Sequence, residues 1–417
     1  MLIIIKDNSL KFIDNINSMR IISGPITKIN LIKNSFLLML IGLLFFNDSE
    51  LYVKYSNVLI FLFIVTGSFY IIKFNSFKVN IFLISYLFLG FLSLVSILYS
   101  VDRELSLIKS ISLILIFAFI FILYNILKLK FDIEEIMSYI INVSVFFSVY
   151  LLIDFLLNFD VNFYWKYRLG AKLANPNTIG LILSTSYLFS LYKFINTKKK
   201  FYIIFLLILL LTVLLTGSRK SIGLIFVSSI FLPFLNLNLS VNKIIRFSFI
   251  TTLFVSILIL LYANNAYFRY QVVRRFENTL SRGSNFDSES DQLRYNMLIK
   301  GVNIFFDSPL FGHGADTYKH FSENYFNKKI YSHNNYIELL VGTGLFGLFL
   351  FYLPIFLVFL KLFMYIRISN NKLLIYTLLI YIFLNIFLLS FLTVLYYDKF
   401  TLIILTIISF FVDNYSK

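Results

Sequence analysis

The sequence predicts an all-α polytopic membrane protein of about twelve transmembrane helices with one long extracytoplasmic loop. Three observations predict it. Of 417 residues, 59% are hydrophobic and 14% charged, which leaves too little polar surface to enclose such a core in water. The 51 phenylalanines and 28 tyrosines stand against only 15 glycines and 5 prolines, a balance that favours uninterrupted helices; the short alternating segments of a transmembrane barrel are absent. The apolar residues also arrive in runs of roughly 15 to 25, the length a bilayer-crossing helix needs.

Taken along the chain, the runs are centred near Leu40, Ile64, Phe88, Leu115, Phe147, Leu183, Leu207, Phe226 and Ser256, then near Phe349, Leu379 and Ile404. The expected organisation is therefore residues 1–265 as the first nine helices with short loops, 266–335 as a large extracytoplasmic loop subdomain, and 336–417 as the last three helices. The stretch Met1 to Ile5 is too short for a signal peptide and lacks a basic leader. The chain has no cysteine, so the external parts are expected to hold together by packing, with neither disulfides nor a thiolate metal site.

Lysines and arginines in the loops set the orientation. With both termini in the cytoplasm, the larger basic set falls inside, including Lys6, Lys11, Arg20, Lys73, Lys78, Lys128, Lys198, Lys199, Lys200, Lys361 and Arg367. The short outside loops then keep a smaller set, including Lys54, Arg103, Lys109, Lys166, Arg168, Arg219 and Lys220. The long loop carries Arg269, Arg274, Arg275, Arg282, Arg294 and further lysines against Glu277, Asp287, Asp291, Asp307 and Asp316. Long loops cross regardless of charge, so this content does not oppose the assignment. No internal repeat of the inverted-transporter kind is present, because one half carries the long loop and the other does not.

All three histidines, His313, His320 and His333, fall in the long loop. His333 closes it, just before the apolar run that starts at Tyr336, so its imidazole sits where water meets membrane and can handle protons near neutral pH. A lone histidine is more often structural than catalytic, and the functional reading rests on what converges with it. Arg219 lies between the seventh and eighth runs with almost no loop to lift it into water, where a guanidinium near hydrocarbon costs about 2.5 to 3.5 kcal/mol. It either snorkels to the interface or clamps an anion, since arginine keeps its charge and grips phosphate oxygens in bidentate fashion. Ser218 suits the helix N-cap beside it.

In this orientation the sixth, eighth and tenth runs all begin at the outer face. They open with Asn175-Pro176-Asn177-Thr178, Ser218-Arg219 and His333-Asn334-Asn335. If these ends converge, three positive helix termini form a site for a multiply charged anion, and the same dipole keeps the His333 ring neutral. Glu338, one turn deeper, either orients this region or complements the helix start. Gly342, Gly344 and Gly347 permit another helix or a lipid tail to approach the tenth run closely.

With His333-Asn334 followed by Gly344-Leu345-Phe346-Gly347, the chain resembles the O-antigen ligase and O-antigen polymerase family of bacterial membrane glycosyltransferases. Asn175-Pro176-Asn177 resembles that family's element at the start of a central span, and Thr216-Gly217-Ser218-Arg219 its Ser-Arg element. Arg294 with Asp307-Ser308-Pro309-Leu310-Phe311-Gly312-His313-Gly314 resembles the later part of its periplasmic loop, although the tryptophan that often follows is missing around Arg294. The elements run in the family's order from Asn175 to Gly347; the N-terminal third matches only in hydropathy. The resemblance implies a fold of about twelve spans in the bacterial cytoplasmic (inner) membrane. Its extracytoplasmic active face would transfer a glycan from an undecaprenyl diphosphate carrier to an acceptor hydroxyl, with no metal and no cofactor.

On that reading His333, Arg219 and Arg294 are catalytic. His333 takes the proton from the incoming hydroxyl while Arg219 and Arg294 bind the diphosphate. Arg274, Arg275, Asn334, Glu338, Asn175, Asn177 and Ser218 are expected to contact substrate, with Asn334 either holding a glycan oxygen or capping the tenth span. The partners implied are a lipid-linked oligosaccharide donor, a glycan acceptor, membrane lipids and other polysaccharide assembly proteins; no nucleic acid is expected. Polymerase and ligase differ only in the acceptor. A polymerase extends O-antigen or capsule polysaccharide on another lipid-linked repeat unit, whereas a ligase moves the glycan to lipid A core in lipopolysaccharide biosynthesis, or to protein. Polymerase is the reading preferred, because every exporter of a repeat-unit glycan by this route needs one. A flippase or transporter is the alternative from another class, but it should carry charges at the midplane of several spans, where this chain shows Asp154 and little else.

Overall fold

The computed structural model describes residues 25–46, 53–74, 77–128, 131–157, 168–171, 173–235, 256, 263 and 289–415. These residues form helices and turns with no strand among them. In chain order the helices are α1 (Pro25–Phe46), α2 (Val53–Phe74), α3 (Ile81–Ser96), α4 (Arg103–Leu127), α5 (Ile133–Leu157), α6 (Pro176–Thr197), α7 (Phe201–Thr216) and α8 (Arg219–Leu235). There follow α9 (Glu289–Asp307), α10 (Tyr318–Phe326), α11 (Asn335–Tyr365), α12 (Lys372–Tyr381) and α13 (Lys399–Tyr415). α12 runs on through a π-helical segment, Ile382–Leu388, and a short turn, Leu389–Phe391. Each expected span centre other than Ser256 lies inside one of these helices, and the residues around Ser256 lie outside the described set. Arg274 and Arg275 lie outside it as well.

Six of the described helices are long and apolar enough to cross a membrane: α2 from Lys54, α4, α5, α6, α11, and α12 with its extension to Phe391. α3, α7 and the Leu31–Leu43 part of α1 are apolar but shorter. Large apolar side chains such as Phe61, Phe69, Phe146, Leu156 and Phe349 remain exposed on the helix flanks. Surfaces of this kind need lipid to cover them, and the chain is a multi-pass membrane protein.

Burial separates centre from rim. In the most apolar stretch of α6, 78% of residues are buried, as are 78% in Lys372–Phe391, against 22% in α2. α6 packs on α5, α7, α8 and α12, while α11 packs on α3, α12 and α13. With no hydrophobic drive between helices in lipid, small polar residues carry much of this contact. Ser186 on α6 donates to Ser144 on α5 at 2.7 Å, with both side chains fully buried.

The glycines of α11 act differently from the sequence expectation. Gly344 leaves the helical region with φ +65° and ψ −163°, and the partner that closes on it is neither another helix nor a lipid tail but the 309–314 backbone. The exchange of hydrogen bonds is complete. Leu345 and Phe346 donate to the carbonyls of Pro309 (2.9 Å) and Leu310 (3.3 Å), and the carbonyls thereby released, Val341 and Gly342, accept from His313 (2.8 Å) and Gly314 (2.9 Å). Irregular backbone at membrane depth is tolerated when protein satisfies it in this way. α9 and α10 close over the same end of α11 through a small core of Met297, Ile304, Tyr318, Ile337 and Val341.

A second difference concerns Lys109, expected in a short outside loop. It lies in the second turn of α4, is 8% exposed, and sits 3.4 Å from the Asp316 carboxylate. Its ammonium also lies 3.4 Å from the Tyr397 ring centroid. The charge is tolerated at that depth because the segment after Gly314 brings it a counter-ion and the 393–398 turn brings it a π face.

Candidate active site

The site is built where α6, α8 and α11 begin. Asn175 caps α6, its Oδ1 accepting from the Asn177 N–H at 2.9 Å, and Pro176 occupies the first turn, where its missing N–H costs nothing. Asn177 turns its own Oδ1 to Arg168, which donates through Nη2 at 2.8 Å and through Nε to the Thr216 carbonyl at 2.6 Å. One guanidinium thus ties the start of α6 to the end of α7. Gly217 ends α7 with φ +61°, and α8 starts two residues later. Ser218 is fully buried, bonded to the Ser221 hydroxyl at 2.9 Å and packed against Gly180 of α6.

At the start of α11, Asn334 is the cap. Its Oδ1 accepts from Tyr336 and Ile337 at 2.9 and 3.2 Å, which commits that oxygen to the helix. The next residue, Asn335, is fully buried and accepts from the Leu395 and Tyr396 N–H groups at 2.7 and 2.9 Å, fastening the turn before α13 to α11. His333 itself has φ +56°, a conformation uncommon for any residue but glycine and sustained only when its surroundings hold it. They do so through Ser332, whose hydroxyl donates to the Asn334 carbonyl at 2.7 Å and accepts the Asn334 N–H at 3.2 Å. The Ser332 N–H donates to Glu338 Oε2 at 2.8 Å. Glu338, 2% exposed, therefore braces the turn that presents His333.

Positive charge gathers around that imidazole. Burial first, then the charges of Arg294 and Lys220, push the His333 ring down to about 4 from an ordinary value near 6.5. The charged ring is disfavoured, as the sequence suggests, with burial and two side-chain cations as causes. Lys220 in turn lies in the field of Arg294, Arg219 and Arg168, and its ammonium donates to the Leu392 carbonyl beyond the π segment of α12. The structure thus links His333, Lys220, Arg294, Arg219 and Arg168, drawn from four separate stretches of sequence. The ring of Tyr331 flanks His333 with centroids 4.2 Å apart.

No sequence motif singles out Lys220 or Arg168. Lys220 was visible only as the neighbour of Arg219, and Arg168 only as one of several cations in short loops. Beneath them lies a buried ionic layer that the local pattern does not announce. Asp316 (5% exposed) pairs with Lys109 and, at 2.8 Å, with Lys319, while Asp316 Oδ1 and Glu338 Oε1 are buried without a hydrogen-bond partner.

A neutral imidazole beside several fixed cations can accept a proton while the cations stabilise developing negative charge. No curated protein matches the chain. Residues 204–352, a segment that holds Arg219, Lys220, Arg294, His333, Asn334 and Glu338, are similar to the family model described as O-Antigen ligase.

Proposed function

We propose that the protein is a polysaccharide repeat-unit polymerase that transfers a glycan from a polyprenyl diphosphate carrier to a sugar hydroxyl of another lipid-linked unit. The observation that carries this is the His333 imidazole at the start of α11, its charged form disfavoured by burial and by Arg294 and Lys220, with Lys220 in turn in the field of Arg219 and Arg168. The acceptor hydroxyl gives its proton to His333 as its oxygen bonds to the anomeric carbon. The bond from that carbon to the diphosphate oxygen breaks, and its electron pair leaves with the carrier diphosphate. Arg219, Arg294 and Lys220 hold that departing charge, and the half-buried Arg168 keeps α6 and α7 in register beside it. Displacement in one step inverts the anomeric carbon.

The active face is extracytoplasmic in this reading, in a bacterial inner membrane, with both termini in the cytoplasm; the distribution of basic loop residues supports it. The 266–335 stretch acts as the outer subdomain that covers the site. Arg274 and Arg275 serve as further diphosphate contacts.

The test is deletion of the gene followed by gel analysis of surface glycan, with complementation by His333→Ala and Arg219→Lys. Loss of chain extension with single repeat units retained supports the polymerase. Bare lipid A core with full-length glycan stranded on the lipid carrier makes the enzyme a ligase. Full chain length in the His333→Ala strain removes the histidine as the base, and in the Arg219→Lys strain removes the bidentate clamp.

A further inference from the structure

At the membrane face opposite His333, the ends of α4, α11 and α13 and the segment entering α3 enclose a cleft of ≈ 550 Å³. α11 sets the separation. It begins beside His333, and the cleft takes its wall from Leu357 to Met364, roughly 35 Å farther along at about 1.5 Å per residue.

Two kinds of surface meet there. Lys78, Lys128 and Lys361 surround the polar end together with one carboxylate, Asp413. That carboxylate belongs to the frame, since its Oδ2 accepts from the Asn80 amide at 2.8 Å and from the Tyr124 hydroxyl at 2.9 Å. Three ammonium groups against one engaged carboxylate leave the cleft positive. The position of Lys78 is built rather than loose, because the fully buried Asn125 binds both its N–H (2.7 Å) and its carbonyl (2.9 Å). Away from the lysines the wall becomes apolar and open: Val79, Ile81, Leu360 and Met364 line the cleft and are 41 to 59% exposed. That strip continues into the exposed flank of α11 at Phe356 and Phe363.

We infer that this cleft binds an anionic glycerophospholipid, with the headgroup phosphate among Lys78, Lys128 and Lys361 and an acyl chain along Ile81, Leu360 and Met364. The ligand must carry a compact negative charge at the end of an apolar chain, since only that pairing matches both surfaces. Free phosphate would leave the apolar wall uncovered. A choline headgroup would bring a cation toward three ammonium groups. Basic pockets between transmembrane helices hold anionic headgroups for this reason.

The test is native mass spectrometry of the full-length protein in detergent, titrated separately with phosphatidylglycerol, phosphatidylethanolamine and phosphatidylcholine of identical chains. The wild type should bind phosphatidylglycerol about tenfold more tightly than phosphatidylcholine, and Lys78→Gln with Lys361→Gln should abolish that preference while leaving the melting temperature unchanged in phosphatidylcholine. Lys199→Gln with Lys200→Gln removes the same charge from the exposed turn after α6, on the same membrane face, and should retain it. The inference is overturned by any of four results: a preference that survives in the cleft variant, equal loss in the control variant, wild-type binding of phosphatidylethanolamine or phosphatidylcholine as tight as phosphatidylglycerol, or displacement of the lipid by inorganic phosphate at millimolar concentration.

Discussion

His333 should titrate near pH 4, and removing the charge of Lys220 should raise that midpoint by a bounded amount. Three causes hold the ring down from about 6.5 to about 4: burial is the largest, Arg294 the next and Lys220 the smallest. Lys220 is the smallest of the three, so Lys220→Gln should lift the midpoint by the smaller part of that gap, leaving it well below 6.5. The readout is imidazole NMR on histidine-labelled protein in micelles, favoured by a chain with only 3 histidines. The sign of the pH dependence follows. An unfolded histidine takes up its proton near 6.5 and the folded one near 4, so this residue destabilises the fold progressively as pH falls between those values and contributes no pH dependence above 6.5. The acid limb of kcat/KM, which reports the free enzyme, should therefore lie near 4. The limb of kcat should lie higher, because a bound diphosphate cancels the field of Arg294 and Lys220. A wild-type midpoint at 6.5 would refute the reasoning, as would a Lys220→Gln midpoint that returns to 6.5 or stays unmoved from the wild type.

Four further outcomes follow from the local geometry. A Cβ at Gly344 would lie 2.3 Å from the Leu310 carbonyl oxygen, with φ at +65°, so Gly344→Ala should cost about 3 kcal/mol or more in thermal unfolding. Gly223→Ala, where a Cβ meets nothing within 4 Å, should be neutral or slightly stabilising. Glu338→Leu should leave the buried Ser332 N–H without an acceptor, costing about 1 to 3 kcal/mol and broadening the His333 resonance, whereas Glu338→Gln keeps an acceptor and should restore both. Arg168→Lys should lose one of the two bonds that join Asn177 to Thr216, lowering the melting temperature and the transfer rate together, and equal activity with an unchanged melting temperature would show that the tie is dispensable.

The helices were legible in the sequence because a bilayer leaves the backbone no alternative, and an apolar run of sufficient length can satisfy its amide groups in only one way there. Their ends were legible for a related reason, since Asn175-Pro176 and Asn334 sit where caps are needed. What the sequence could not show is which of two neighbours does the work. Asn334 and Asn335 read alike, yet one caps α11 and the other fastens the 395–396 turn. Arg219 stands out in the sequence and Lys220 does not, yet it is the lysine whose charge bears on His333. The three glycines of α11 suggested a close approach without naming what approaches, because the partner is a loop joined through backbone groups that any sequence possesses. The Lys109–Asp316 pair joins residues far apart in the chain, and no local periodicity encodes it. These omissions share one physical origin. The site is made of contacts between the starts of separate helices, and each such contact depends on how the helices pack rather than on the composition of any one of them. A single motif therefore singles out the histidine but not the burial and the neighbouring cations that disfavour its charged form. Burial disfavours the charged ring most, and Arg294 and Lys220 add to it, so the packing around His333 together with the charge at Arg294 and Lys220 is where the chemistry of this site is most open to change.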